Sequence, residues 1–390
     1  MDDNRYSQGH ESDSVTPGSE DAEAPVPRPV LFAIGDIHGN YDALRSIIST
    51  LQSRHRIFTD AGLESLADHV TLVFTGDYVD RGPHAIKVLD YLARMKDKSG
   101  NRAVLLMGNH EAMSLAALGA MQGHSRMRSD LSTRVFAAWR QHERNGGRAL
   151  YREIADTLDI EGSDDHVAMA RAFLEEFGRG GRAGDLLRAL ELAYIHEFSG
   201  YSFLFSHGDV PRDSLRSRQS LEDVAMAFKG HVASQVGTVD WVSKYDEDLP
   251  GRELLWGRDY TDTDFARVTP EQEVSRAQEI CDACGVDFIV AGHTITHDKR
   301  IRVYGGRIFH IDVGMVFTGE PTALMVSDAG ISSVTKYGDE LLVGFCSSEA
   351  GASSHLPPLA LHPTCKGEPT LTAADFRECQ ETPLTTGSST

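Results

Sequence analysis

Three short clusters concentrate the side chains of this chain that can hold a cation or move a proton. They are Gly35-Asp36-Ile37-His38-Gly39, Gly76-Asp77-Tyr78-Val79-Asp80-Arg81-Gly82 and Gly108-Asn109-His110-Glu111. Two later pairs, His207-Gly208 and Gly292-His293, add imidazoles. Carboxylate, amide and imidazole donors without a thiolate suit a pair of manganese, iron or zinc ions better than a cysteine-rich structural zinc. Asp36, His38, Asp77, Asn109, His207 and His293 are therefore the candidate ligands, with Asp77 able to bridge two ions about 3.5–4 Å apart. Metal-assisted hydrolysis is the chemistry such a set serves. Singly, each residue has a plainer use, because an Asp or Asn after a strand often caps a turn. Their recurrence in one kind of position argues for a site.

That position is the end of a strand. Each early cluster follows a short apolar run, Val30 to Ile34, Val70 to Phe74 and Ala103 to Met107, which reads as a buried strand. Open α/β sheets bind ligands beyond the carboxyl ends of their strands. Asn40 can cap a first helix whose stripe is Leu44, Ile47, Ile48 and Leu51. Pro83 suits the first turn of a second, with Ala85, Val88, Leu89 and Leu92 as its stripe. Strand, loop and helix in repetition predict a parallel sheet with right-handed crossovers. From Glu111 to about residue 200 the pattern turns helical, including a Met113, Ala116, Ala117 stripe; this is a helical insertion beside the site, serving as lid or substrate wall. Sheet returns at Ser202 to Ser206 and Phe288 to Ala291. Hairpins are expected at Ile301 to Ile311, around Gly305-Gly306, and at Ala323 to Thr335. This second half is expected to be an antiparallel sheet packed on the first.

The bulk numbers exclude some partners. A net charge of −20, from 38 basic and 58 acidic residues, disfavours nucleic acid and anionic membranes, whose binding rests on Lys and Arg. An anionic substrate must be drawn by local positive charge. Residues 1–39 carry no signal pattern and no apolar run approaches 18 residues, so no membrane span is expected. Five cysteines do not form a disulfide framework, and a cytoplasmic location is the expectation. The organisation read from composition is a disordered acidic tail at 1–28, one catalytic domain at 29–348 with its insertion at about 111–200, and a loose tail at 349–390.

The three early clusters, in this order, resemble the signature motifs of the phosphoprotein phosphatase family of metallophosphoesterases. His207-Gly208 and Gly292-His293-Thr294 resemble its later ligand motifs, so the likeness spans about residues 30–315. Ile311-Asp312-Val313-Gly314-Met315 and Trp256-Gly257-Arg258 look closest to bacterial and Shewanella-like members. The resemblance implies an α/β fold, the calcineurin-like β-sandwich flanked by helices in four layers (α/β/β/α). It implies two divalent metal ions, manganese first and iron or zinc otherwise. Asp36, His38 and Asp77 would hold one ion, and Asp77, Asn109, His207 and His293 the other. His110 would be the general acid, oriented by Asp80, while Arg81 and Arg258 grip phosphate oxygens. The implied activity is hydrolysis of phosphoserine and phosphothreonine in proteins, by in-line attack of a metal-bridging hydroxide.

Two other activities share this pattern in part. Dinucleoside polyphosphate hydrolases, such as those acting on diadenosine tetraphosphate, have the same cage but generally another residue at the Asp80 position. A non-catalytic scaffold would show eroded ligands, and none is eroded. The sequence departs from the family at Asp209, where a small residue is usual; a turn cap is the expected use. Cys281 and Cys284 are expected to pack in the core, His310 and Asp312 to be structural, and His297 to hold no metal.

Overall fold

A computed structural model describes residues 27–124, 140, 142–157, 166–210, 218–234, 249–260, 267–318, 320–345 and 360–361. Strand β1 (Val30–Ile34) runs parallel to β2 (Val70–Phe74), and β2 to β3 (Ala103–Leu105). Leu31 to Ile34 and Leu72 to Phe74 are wholly enclosed, the pattern of strands covered on both faces. Between them lie helices α1 (Tyr41–His55) and α2 (Ala85–Ser99). Asn40 Oδ1 accepts from the Ala43 N–H at 3.1 Å, and the expected stripes of both helices are buried. Pro83 falls just outside the second helix, which begins at Ala85.

The remaining strands are β4 (Ala193–Phe198), β5 (Tyr201–Ser206), β6 (Phe288–Ala291), β7 (Arg302–Tyr304) and β8 (Ile308–His310), then β9 (Ala323–Ser327), β10 (Gly330–Thr335), β11 (Gly338–Gly344) and β12 (Ala360–Leu361). Among the described residues they form two sheets, of order β12-β11-β10-β9-β1-β2-β3 and β4-β5-β6-β8-β7, sharing one apolar core. Both expected hairpins exist. The β9–β10 hairpin, however, joins the first sheet: β9 pairs antiparallel with the side of β1 that β2 leaves open. An apolar strand edge left bare would be a liability. Nor is the second sheet uniformly antiparallel, since β5, β6 and β8 run parallel. The stretch between β5 and β6 is long enough to carry helix α7 (Arg218–Ser234) and helix α8 (Pro270–Cys284), as a parallel crossover requires. Strand β4 lies in the region expected to be helical and forms a half-buried edge of the second sheet.

The insertion comprises α3 (Asn109–His124), a wide π-type turn at Glu143–Gly147, α4 (Arg148–Thr157), α5 (His166–Phe177) and α6 (Arg182–Arg188). The buried face of α3 includes Ala112, Leu115, Ala117 and Leu118; Ala117 lies there as expected, whereas Met113 and Ala116 are only half-buried, because the ligand loop runs straight into the helix and turns Glu111 inward. The Glu153 carboxylate accepts the Ile86 and Lys87 N–H groups at 2.9 and 3.3 Å, capping a helix whose own His84 makes no side-chain cap. The Arg81 N–H donates to the Gly146 carbonyl at 2.9 Å. Through these contacts the insertion braces the Asp80–Arg81 loop and the start of α2. The tails expected at 1–28 and 349–390 lie outside the described residues, save Pro27, Arg28 and β12, which pairs with β11. No helix among the described residues is long and apolar enough to cross a membrane.

Candidate active site

The loops that follow β1, β2, β3, β5 and β6 meet at one point. Asp36 Oδ1 accepts the His293 N–H at 3.0 Å, and the His207 ring bonds the Thr75 carbonyl at 2.8 Å. His38, Asp77, Asp80, Arg81 and His293 all have φ between 48° and 67°, a left-handed backbone uncommon outside glycine that collects at functional sites. Gly76 and Gly108 pass so close that a Cβ on Gly76 would lie 2.6 Å from the Gly108 nitrogen. Glu111 holds the loop in this shape. Its carboxylate accepts the N–H groups of Asp77 (2.8 Å), Tyr78 (2.7 Å), Val79 (3.1 Å) and Gly108 (2.9 Å). Glu111→Gln would set an NH2 against N–H donors; a loss of about 3 kcal/mol in urea unfolding is expected. An unchanged unfolding midpoint would mean the loop holds itself.

The six candidate ligands are gathered and buried. His38 Nε2 lies 3.4 Å from Asp77 Oδ2 and 3.9 Å from Asp36 Oδ2, while His207 Nε2 lies 3.3 Å from Asp77 Oδ1. Asp77 thus stands between two groups, His38 with His110 and His207 with His293, each compact enough to hold an ion. His38 Nδ1–H donates to the Val79 carbonyl at 3.1 Å and His207 Nδ1–H to Thr75, leaving both Nε2 lone pairs turned inward. Burial pushes the His38 imidazole down to about 3 and lowers those of His207 and His293, so neutral rings, the ligating form, prevail.

These residues fit a pair of cations. Asp36 Oδ2 and His293 Nε2 are buried without a hydrogen-bond partner among the described residues. The Asn109 amide faces a choice: with its NH2 inward it donates to His207 Nε2 at 3.1 Å and its oxygen accepts from Trp256 Nε1 at 3.1 Å. With its oxygen inward it adds one more acceptor beside Asp77, His207 and His293, which only a cation satisfies. Burial, then the charges of Asp312 and Asp77, push the Asp36 carboxyl well above the carboxylate range, and burial pushes Asp312 up to about 6. Nearby cations invert that logic.

Beside the cage, His110 Nδ1–H donates to Asp80 Oδ2 at 2.7 Å. Burial opposes a charged His110, but Asp77 and then the Asp80 hydrogen bond outweigh it and raise its pKa. Burial likewise opposes ionisation of Asp80, yet the neighbouring His142 ring and the hydrogen bonds from His110 and His142 hold its carboxyl far below the usual range. The Arg81 guanidinium donates to His38 Nε2 at 2.6 Å, where a cation would otherwise draw the lone pair, and lies 3.1 Å from His110 Nε2. Arg258 Nη1 is 3.5 Å from Thr294 Oγ1, and its charge adds to the lowering of His207 and His293.

Some expectations change here. Asp209 is no turn cap: it is fully buried, accepting from His310 Nε2 and from the Tyr260 N–H, both at 2.7 Å, and so ties β8 to the segment bearing Arg258. His310 is structural in that sense. Asp312 is structural too, its Oδ1 accepting the Gly314 N–H at 2.8 Å, and its charge also adds to the rise of the Asp36 carboxyl. His297 is exposed, whereas Cys281 and Cys284 are buried thiols, the latter pushed up to about 12 by burial. His142 carries no signal in the sequence, because its contact to Asp80 forms only in the folded chain.

The sequence model for calcineurin-like phosphoesterases matches residues 30–297. An uncharacterised protein of Schizosaccharomyces pombe is 26% identical over 336 residues, 84% of this chain and 86% of that protein. Shewanella-like protein phosphatase 1 of Plasmodium berghei is 23% identical over 318 residues, 78% of this chain and 73% of its own. A solved cold-active protein tyrosine phosphatase from a psychrophilic Shewanella species superimposes with a TM-score of 0.52 at 20% identity, covering 80% of each chain. At that identity the likeness bears on the fold.

Proposed function

The chain belongs to the calcineurin-like phosphoesterase family, and from that premise we propose that it hydrolyses phosphoserine and phosphothreonine in proteins. It is a metal-dependent phosphatase. Asp36, His38, Asp77, Asn109, His207 and His293 would hold two divalent cations, manganese by preference. Bound there, the cations supply Lewis acidity that activates water and offsets phosphoryl charge. Arg81 and Arg258 flank the cage and orient the phosphate oxygens for in-line displacement. His110, its Nδ1 fixed by Asp80, gives the Nε2 proton to the departing alkoxide.

The observation that carries this reading is the 2.7 Å bond between His110 and Asp80 at the rim of the cage. A serine alkoxide is a poor leaving group and needs a poised proton donor, whereas a nucleotide phosphate leaves without one. The −20 charge fits a protein substrate drawn through metals and two arginines better than a polyanion engaged over a broad surface. A panel after manganese loading tests the proposal: phosphoserine, phosphothreonine and phosphotyrosine peptides against diadenosine tetraphosphate. Turnover is expected on the first two. Symmetric cleavage of the dinucleotide with inert peptides would overturn it, and preference for phosphotyrosine would correct the substrate.

A further inference from the structure

His142 belongs to none of the clusters that bear the chemistry, yet it is 2% exposed and its ring is fixed on every side. Gly147 lies flat on it, so close that a Cβ there would meet three ring atoms at 3.0 Å. Tyr151 meets the ring edge-on at a centroid distance of 5.3 Å, and Phe173 packs at 5.9 Å. Its nitrogens are equally constrained. Nδ1 lies 2.7 Å from Tyr151 Oη; Nε2 lies 3.2 Å from Asp80 Oδ2 and 3.3 Å from Ser114 Oγ.

The tautomer follows from the hydrogens. The Ser114 hydroxyl donates to the His110 carbonyl at 3.0 Å, so towards His142 its oxygen acts as acceptor. An ionised Asp80 also only accepts. Nε2 therefore carries a proton, shared between the two oxygens, and in the neutral ring Nδ1 takes the hydrogen of Tyr151. Asp80 Oδ2 then receives two N–H donors, from His110 and from His142, while its Oδ1 has no partner among the described residues. Both contacts that fix this carboxylate pass through one atom. Without His142, only the ring it is meant to orient would hold it.

We propose that His142, locked in one tautomer by Tyr151 and Ser114, is a positioning residue for the proton-transfer step. It steadies Asp80, and Asp80 in turn points His110 Nε2 towards the leaving oxygen. The helical insertion thereby takes part in catalysis without touching substrate. This rests on the phosphomonoesterase reading above, so the test keeps the two apart.

Wild type, His142→Phe, His142→Gln and Tyr151→Phe are compared, manganese-loaded, on a phosphoserine peptide and on p-nitrophenyl phosphate, whose leaving group needs no proton. For His142→Phe, kcat on the peptide is expected to fall roughly tenfold to a hundredfold, by analogy with the loss of a hydrogen-bonding partner that orients a metal ligand. KM and the p-nitrophenyl rate should stay near wild type. Gln, which can still donate to Asp80, should restore most of the loss; Tyr151→Phe should give a smaller loss of the same selectivity. An activity-independent readout is the low-field proton signal of His110 Nδ1–H, expected to shift or broaden in His142→Phe and to return in His142→Gln. Equal losses on both esters, no loss on either, or an unchanged low-field signal would overturn the proposal. Should wild type hydrolyse neither ester, the phosphatase reading falls, and the proton signal still decides the role of His142.

Discussion

Asp77→Asn is expected to empty the cation cage and lower kcat/KM by a thousandfold or more. Asp77 is the one carboxylate shared by the two groups of candidate ligands, with Oδ2 towards His38 and Oδ1 towards His207. Burial alone would raise its carboxyl, but the surrounding His207, His110, His38 and Arg81 lower it below the usual carboxylate range. An amide there keeps the shape and removes the charge that pairs with two cations. Lewis-acid stabilisation is worth several kcal/mol, and about 4 kcal/mol corresponds to roughly a thousandfold in rate. Elemental analysis of the purified variant against wild type is the check. Full occupancy with lost activity would reassign Asp77 from ligand to substrate contact.

His110→Ala should behave differently. Metal content is expected to remain, while kcat on a serine ester falls by about 10²–10⁴, the range for a lost general acid. The loss on p-nitrophenyl phosphate should be far smaller. A pH dependence follows from the raised His110 pKa. A raised pKa keeps the donor protonated further into alkaline solution than an ordinary histidine, so activity on alkyl esters persists there and declines as pH rises through the shifted value. In Asp80→Asn, which removes a hydrogen bond and a charge that favour the protonated ring, the decline should move to lower pH. A decline that stays in place would exclude His110 as the titrating donor.

How much of this was legible in the sequence depends on how local each signal is. The ligand loops after Ile34, Phe74 and Met107 announce themselves, since apolar run, glycine and metal-binding side chain fall within a few residues. Helices α1 and α2 follow from their stripes for the same reason. The placement of β9 beside β1 did not follow, because a hairpin fixes its own register and says nothing about which sheet it joins. Glu111 stood within a recognised motif, but its use as a fourfold acceptor depends on backbone N–H groups more than thirty residues away as well as on neighbouring Gly108. Asp209 carried the wrong expectation because its surroundings, His310 and Tyr260, arrive from distant segments. His142 had no motif at all.

Ile34 finds its antiparallel mate at Ala323, about 290 residues further along. At translation speeds of roughly 5–20 residues per second, the ribosome needs about 15 to 60 s to deliver that mate. Throughout this interval the nascent chain displays an apolar edge with nothing to cover it, a state that invites chaperones and punishes crowding. The imidazoles of His207 and His293 emerge during the same wait, so enzymatic competence comes at the end of biosynthesis, after most of the polypeptide has already been made.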